Sequence, residues 1–185
     1  MVNVKYYNCF PTVISQFSID IKHAPMLKCI NLSSDQLHNH EAFEDLVNHI
    51  LEATTSILKK QQYQYDKIEI TNMWATKLNI GETHAPHTHS NNFLSGVYYL
   101  EAGDTAPIQF FDPRPAAHVL QPRNTPNFIN SSMIQFDSVA GFGYIFPSWL
   151  SHWVPSTKRQ RISVSWNILL RGNYGGDGTL QNAYI

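Results

Sequence analysis

Arg161-Ile162-Ser163-Val164-Ser165-Trp166-Asn167-Ile168 alternates strictly between polar and apolar residues. A period of two puts Ile162, Val164, Trp166 and Ile168 on one face of a β-strand and Arg161, Ser163, Ser165 and Asn167 on the other. The apolar face suits a core. The polar face suits either solvent or a polar cavity. The other strands of the chain are apolar, which favours a cavity. Arg161 adds a planar fork of donors matched to a carboxylate.

Upstream of that strand the same period recurs. Ile68, Ile70, Trp74, Leu78 and Ile80 share one face in an extended chain. Further strands are expected at Phe93–Leu100, Ile108–Phe111, Met133–Phe136, Phe142–Phe146, His152–Val154 and Arg161–Leu169, separated by Gly, Pro and Asn. Earlier still, Leu46, Val47, Ile50, Leu51, Thr54, Ile57 and Leu58 recur at helical spacing, and Lys59 and Lys60 suit the end of a helix. Ser33 with Gln36 three residues on offers a capping-box start for it. Residues 1–30 read as short strands broken by Pro11 and Pro25. Many short strands after one helix predict a mainly β fold, a jelly-roll or barrel with the helix as a buttress against the outside of a sheet.

The 185 residues suit one domain. Residues 1–65 would hold the N-terminal strands and buttress helix, 66–170 the jelly-roll core, and 171–185 a loose Gly-rich tail. Residues 112–130, with Pro113, Pro115, Pro122 and Pro126, form a long loop of the kind that often carries function. Apolar residues make up 43% and charged residues 15%, so the chain can build a core. A net charge of -1 gives no basic face for nucleic acid. Cys9 and Cys29 are too few for a disulfide scaffold and fit unpaired thiols in a reducing cytoplasm. The N-terminus lacks a signal-peptide pattern and no run is apolar enough to span a membrane. A soluble cytoplasmic protein is therefore expected, with homodimerisation left open.

Nine histidines is a high count. His23, His38, His40, His49 and His118 are scattered and read as surface or helix-flank residues. His84-Ala85-Pro86-His87-Thr88-His89 differs, because residues i and i+2 of an extended chain point the same way. His87 and His89 can converge on one metal ion, and imidazole suits Fe, Zn, Cu and Ni. The pair alone is a weak signal. His152 sits inside the bulky frame Phe146-Pro147-Ser148-Trp149-Leu150-Ser151-His152-Trp153-Val154-Pro155, and alone reads as a satisfied core histidine.

In combination these pieces resemble the 2-oxoglutarate-dependent Fe(II) oxygenases. That superfamily shows an His-x-Asp pair, a distal His, and an Arg or Lys about one strand later. Here Arg161 follows His152 by nine residues, which resembles the prolyl-hydroxylase-like branch. Three stretches look like a small family of such oxygenases common in bacterial and phage genomes. They are His87-x-His89 followed by Leu94-Ser95-Gly96-Val97-Tyr98-Tyr99-Leu100, then Phe146-Pro147-Ser148-Trp149-Leu150-x-His152, then Arg161 to Asn167. The similarity covers roughly residues 70–170.

The resemblance implies a double-stranded β-helix, the jelly-roll of the cupins. It implies Fe(II), 2-oxoglutarate as a small-molecule cosubstrate, O2, and hydroxylation of an unidentified protein or small-molecule substrate. It makes His87 and His152 metal ligands and Arg161 the anchor of the cosubstrate's far carboxylate. Ser163 would share that carboxylate, and Tyr99 would contact the cosubstrate. The chain departs from the family where the carboxylate ligand belongs, because that slot holds His89. Three arrangements are open: His89 ligates, His89 leaves the position free, or Asp112 supplies a carboxylate from elsewhere. The rivals are a cupin-like dioxygenase with a three-His metal and no 2-oxoglutarate, and a non-enzymatic jelly-roll with a structural zinc that recruits His84.

Overall fold

The computed structural model describes residues 2–176 and 178–185. Its elements are β1 (Ser15–Ser18), α1 (His23–Cys29), α2 (Glu44–Gln61), β2 (Lys67–Leu78), β3 (His84–His87), β4 (Leu94–Glu101), β5 (Ile108–Phe111), β6 (Met133–Phe136), β7 (Phe142–Pro147), β8 (His152–Val154), β9 (Arg161–Arg171), β10 (Asn173–Tyr174) and β11 (Ala183–Tyr184). β1-β7-β4-β9-β2 form a five-stranded major sheet, and β3-β8-β5-β6 a four-stranded minor sheet. All the pairings within both sheets are antiparallel. This is the expected jelly-roll.

The alternation of β9 decides how the layers stack. Val164, Trp166, Ile168 and Leu170 join Leu46, Ile50 and Leu58 of α2 in one buried cluster on the outer face of the major sheet. Each such fully buried side chain is worth about 1.5–3 kcal/mol. The other face of the major sheet meets the minor sheet, where Val97, Tyr99, Tyr144 and Phe146 pack on Ile108 and Phe110. Close approach of the outer layer requires Gly96, because a Cβ there would collide with the Trp166 ring and come within 2.8 Å of Tyr144 O.

The structure corrects four local expectations. The segment around Pro25 is not a strand but helix α1, with Pro25 in its first turn. An amide there has no intrahelical acceptor, so proline costs nothing. His23 at its start bonds Leu100 O and Tyr98 Oη, both at 2.8 Å, and pins α1 to β4. Secondly, α2 begins at Glu44 and not after Ser33. Asn31 and Ser34 spend their side chains on local turns, and His40 Nδ1 caps a short 3-10 turn by accepting from Ala42 N at 3.1 Å.

Thirdly, Ile68 and Ile70 do not share a face with Trp74 and Leu78. A bulge at Thr71 breaks the register between Ile70 and Asn72. One extra residue reverses the facing of everything after it. Ile68 and Ile70 therefore face the helices together with Met73 and Ala75, while Trp74, Thr76 and Leu78 turn into the space between the sheets. Ile80 lies beyond the strand, 74% exposed. Lastly, the tail is tied down: β10 pairs with β11, and Gly172 and Ile185 exchange backbone hydrogen bonds. Among the described residues no helix is long and apolar enough to cross a membrane.

Candidate active site

β3 and β8 pair in the minor sheet and carry histidines into the space between the two sheets. His87 at the end of β3 pairs in register with His152 at the start of β8. His89 follows two residues later, its backbone N–H donated to Ser148 O at 2.9 Å. One ring nitrogen from each of His87, His89 and His152 lies within 4.8 Å of the other two. Among the described residues this is the one such grouping of three or more His, Cys, Asp or Glu side chains.

The rings are oriented from behind. His87 Nδ1 meets Ala85 O at 2.8 Å and His152 Nδ1 meets Leu150 O at 2.9 Å. A carbonyl only accepts, so both Nδ1 atoms carry the ring proton and both Nε2 atoms keep a lone pair. His152 Nε2 faces His89 Nε2 at 3.3 Å. Only a proton or a cation between the two makes that approach favourable. Burial, reinforced by the neighbouring rings, holds His152 down to about 3. It holds His89 down to about 4, against the opposing effect of the Asn167 amide beside it. Both rings are thus neutral at physiological pH, the form that binds metal. The donor set fits one imidazole-bound ion, iron included.

The remaining candidates separate. His84 stacks on His87 with ring centroids 4.4 Å apart and faces the same cavity, yet stands outside the trio. Asp112 also stands outside it. Arg114 grips both its oxygens, with Nη2 to Oδ2 at 2.6 Å, and His118 approaches to 3.5 Å. That clasp draws Asp112 to the root of the 112–130 loop and holds its carboxyl below the usual range, first through the Arg114 bond.

Arg161 lines the same cavity as the histidines. It is 3% exposed and has no carboxylate partner among the described residues. Nη1 donates to Ala106 O at 3.2 Å and to Ser138 Oγ at 3.4 Å, while Nε finds no acceptor. The guanidinium lies over the Tyr99 ring, 4.9 Å from its centroid. Tyr99 Oη is buried without a partner as well. Ser163 is buried beside them, opposite Tyr99 in the sheet. An isolated buried cation is costly. Its own unpartnered Nε and the neighbouring Tyr99 Oη, both orphaned among the described residues, mark the place of an anion.

Trp74, Thr76, Leu78, Val97, Phe146 and Ser165 complete the walls. The sequence did not single out most of these, because the Thr71 bulge conceals which half of β2 faces inward. It also missed Ser95 and Ser148, buried behind His89.

Together, the fold and site define a jelly-roll with three imidazoles at its mouth and an anion-seeking arginine deeper in. A family model for 2OG-Fe(II) oxygenases matches residues 72–167, which span all four of these side chains. The chain belongs to that family, and it is a 2-oxoglutarate/Fe(II)-dependent oxygenase. No curated protein matches it in sequence. Among solved structures it resembles a Pseudomonas putida prolyl-4-hydroxylase, with 15% identity, TM-score 0.61, and 87% of this chain and 89% of that one covered. It also resembles the viral collagen prolyl hydroxylase of Paramecium Bursaria Chlorella virus-1, solved as a 2OG complex, with 11% identity, TM-score 0.55, and 84% and 94% covered. HygX from Streptomyces hygroscopicus, with nickel and 2-oxoglutarate bound, gives 8% identity, TM-score 0.55, and 86% and 82% covered. At these identities the likeness is one of fold.

Proposed function

We propose that His87, His89 and His152 hold the iron, that Arg161 anchors the distal carboxylate of 2-oxoglutarate, and that the product is a hydroxylated side chain or small molecule. One observation carries this reading: a buried guanidinium without an acidic partner among the described residues shares a cavity with the three histidines. The 2-oxoglutarate dianion would supply the missing counter-charge. Ser163 is placed to share the same carboxylate. Tyr99 keeps the guanidinium in position with its ring face and offers Oη to the same ligand.

Bound Fe(II) with O2 supplies the oxidation, which turns 2-oxoglutarate into succinate and CO2 and hydroxylates the substrate. The chain contributes position and exclusion. Ala85 O and Leu150 O fix two ligand rings in the tautomer that leaves Nε2 free. Val97, Phe146 and Ile108 keep water from the floor of the cavity. Exposed Trp149 and the 112–130 loop are the nearest candidates for substrate contact. A cupin-like three-His dioxygenase without 2-oxoglutarate would account for the histidines and leave Arg161 without a purpose.

The test is anaerobic addition of Fe(II) and then 2-oxoglutarate to the metal-free protein. A visible metal-to-ligand charge-transfer band is expected in the wild type and a weakened one in Arg161→Ala. Iron binding without the band would overturn the cosubstrate site. No iron binding would overturn the histidine ligand set.

A further inference from the structure

His87 and His152 each give their ring N–H to a backbone carbonyl two residues earlier. Among the described residues no backbone carbonyl does this for His89, whose ring meets the Nε2 of His152 at 3.3 Å and has the Asn167 amide beside it. A metal-binding imidazole nearly always donates its second nitrogen to an acceptor, which sets tautomer and ring angle. The ligand in the family's carboxylate slot therefore requires an acceptor of another kind.

A buried polar chain runs to that place. Ser95 and Ser148 are fully buried, and Asn167 is 5% exposed. Ser95 Oγ donates to Asn167 Oδ1 at 2.7 Å. Its one proton being used, the Ser148 hydroxyl donates to Ser95 Oγ at 2.8 Å. Asn167 Nδ2 donates to Asn72 Oδ1 at 2.8 Å, and Thr71 Oγ1 reaches Asn92 Oδ1 at 2.8 Å. Asn72, Asn167 and Ser95 form one row across β2, β9 and β4. Ser95 donating to Oδ1 and Asn72 accepting from Nδ2 assign the amide the same way, each independently, and leave Oδ1 one lone pair to spare. Ser148 closes the loop by accepting the backbone N–H of His89 at 2.9 Å.

We propose that Asn167 is the positioning residue for His89, its Oδ1 accepting the ring Nδ1–H so that Nε2 is held toward the cavity. The network grips His89 twice, at the main chain through Ser148 and at the ring through Asn167. β9 then serves both ends of the site, with Arg161 at the anion end and Asn167 at the His89 end. An amide is a neutral acceptor, which leaves the trio as three neutral imidazoles. This rests on the proposed ligand set, and the experiment separates the two.

The first readout is long-range 1H–15N NMR of the wild-type histidines at pH 7.5 with Zn(II) bound, so that an ion and not a shared proton separates the two facing Nε2 atoms. His89 is expected to carry its proton on Nδ1. A proton on Nε2 would overturn the proposal. The second readout is Co(II) and Fe(II) affinity by competition with a chelator, for Asn167→Ser, Asn167→Asp and Asn72→Ala. Asn167→Ser is expected to lose about 10- to 100-fold in affinity, and Asn167→Asp to recover it, with a shifted Co(II) visible spectrum. Asn72→Ala removes as much of the buried network while leaving the acceptor, and should stay within threefold of wild type. Equal losses in Asn167→Ser and Asn72→Ala would reduce Asn167 to a structural role and overturn the proposal. If Asn167→Ser does not fold, the wild-type tautomer decides alone. Failure of the wild type to bind Fe(II), with Zn(II) bound and Nδ1–H intact, would sink the iron reading and leave the positioning contact standing.

Discussion

Replacing Arg161 by Met keeps an unbranched apolar stem and deletes the guanidinium, and the structure sets two effects in opposition. In the ligand-free protein the guanidinium is buried with no acid beside it among the described residues, and its two hydrogen bonds are long, at 3.2 and 3.4 Å. Neither acceptor is stranded by its loss, because Ser138 Oγ already donates to Ala106 O at 2.8 Å. What remains is the relief of a buried cation, less the loss of its position over Tyr99. Exchanges of buried charge for well-packed apolar groups gain about 1–4 kcal/mol, and the lost Tyr99 contact brings the expected gain to about 1–3 kcal/mol. In a chain of this size each kcal/mol raises Tm by about 2–4 °C. With 2-oxoglutarate the sign reverses. Removing one member of a buried, hydrogen-bonded charge pair costs about 2–5 kcal/mol, which weakens cosubstrate binding between about 30-fold and 4,000-fold. Calorimetry of the Ni(II)-loaded protein with 2-oxoglutarate, beside thermal melts of the metal-free protein, measures both. Affinity within threefold of wild type would refute the anchor. A lower melting point of the ligand-free variant would refute the charge argument.

Asp112→Asn should leave metal affinity within twofold, because Asp112 is clasped by Arg114 and lies outside the histidine trio. The same variant loosens the 112–130 loop, read as faster tryptic cleavage after Arg123, Pro115 shielding the bond after Arg114. Gly96→Ala drives a methyl group into Trp166 and toward Tyr144 O. Over-packing of this kind costs about 1–3 kcal/mol or more, visible as a lower urea midpoint at unchanged slope. Acid destabilises the metal-free protein in a set window. His152 is held down to about 3, so the folded state stays unprotonated there while the unfolded chain takes up a proton below its ordinary value near 6.5. Stability is unaffected above that value. It falls as pH drops from about 6.5 toward 3, by at most about 1.4 kcal/mol per pH unit for this ring, with a smaller share from more exposed His89. Urea titrations at pH 7.5 and pH 5 check the sign, and His152→Phe should flatten the dependence.

Much of this was legible because the informative signals are local. Period-two alternation in β9 located both its core face and its cavity face, and His87 and His89 fall on one side of an extended chain without any knowledge of the fold. His152 was legible only through the family resemblance, since an isolated histidine in an apolar frame reads as core. What escaped were features set by backbone irregularity and by partners distant in sequence. The Thr71 bulge exchanges the two faces of β2, and no residue type announces it. Pro25 reads as a breaker until its place in a first turn is known. Asn167 stood on the polar face of β9, but its partners Ser95 and Asn72 lie on two other strands, and nothing short of the sheet register brings them together. Asp112 was an open alternative until the Arg114 clasp showed where its charge is spent.

The Thr71 bulge has a consequence for how this enzyme can diversify. Upstream of it, β2 answers to the helical layer. Downstream, alternate residues answer separately to that layer through Met73 and Ala75, and to the cavity through Trp74, Thr76 and Leu78. The cavity wall can thus be rewritten at every second position while the scaffold's own code stays intact. Deleting one residue at the bulge would merge the two codes, sending Trp74 toward the helices and Met73 toward the site. A single unpaired residue is what keeps the cavity wall and foldability on separate alphabets within one strand.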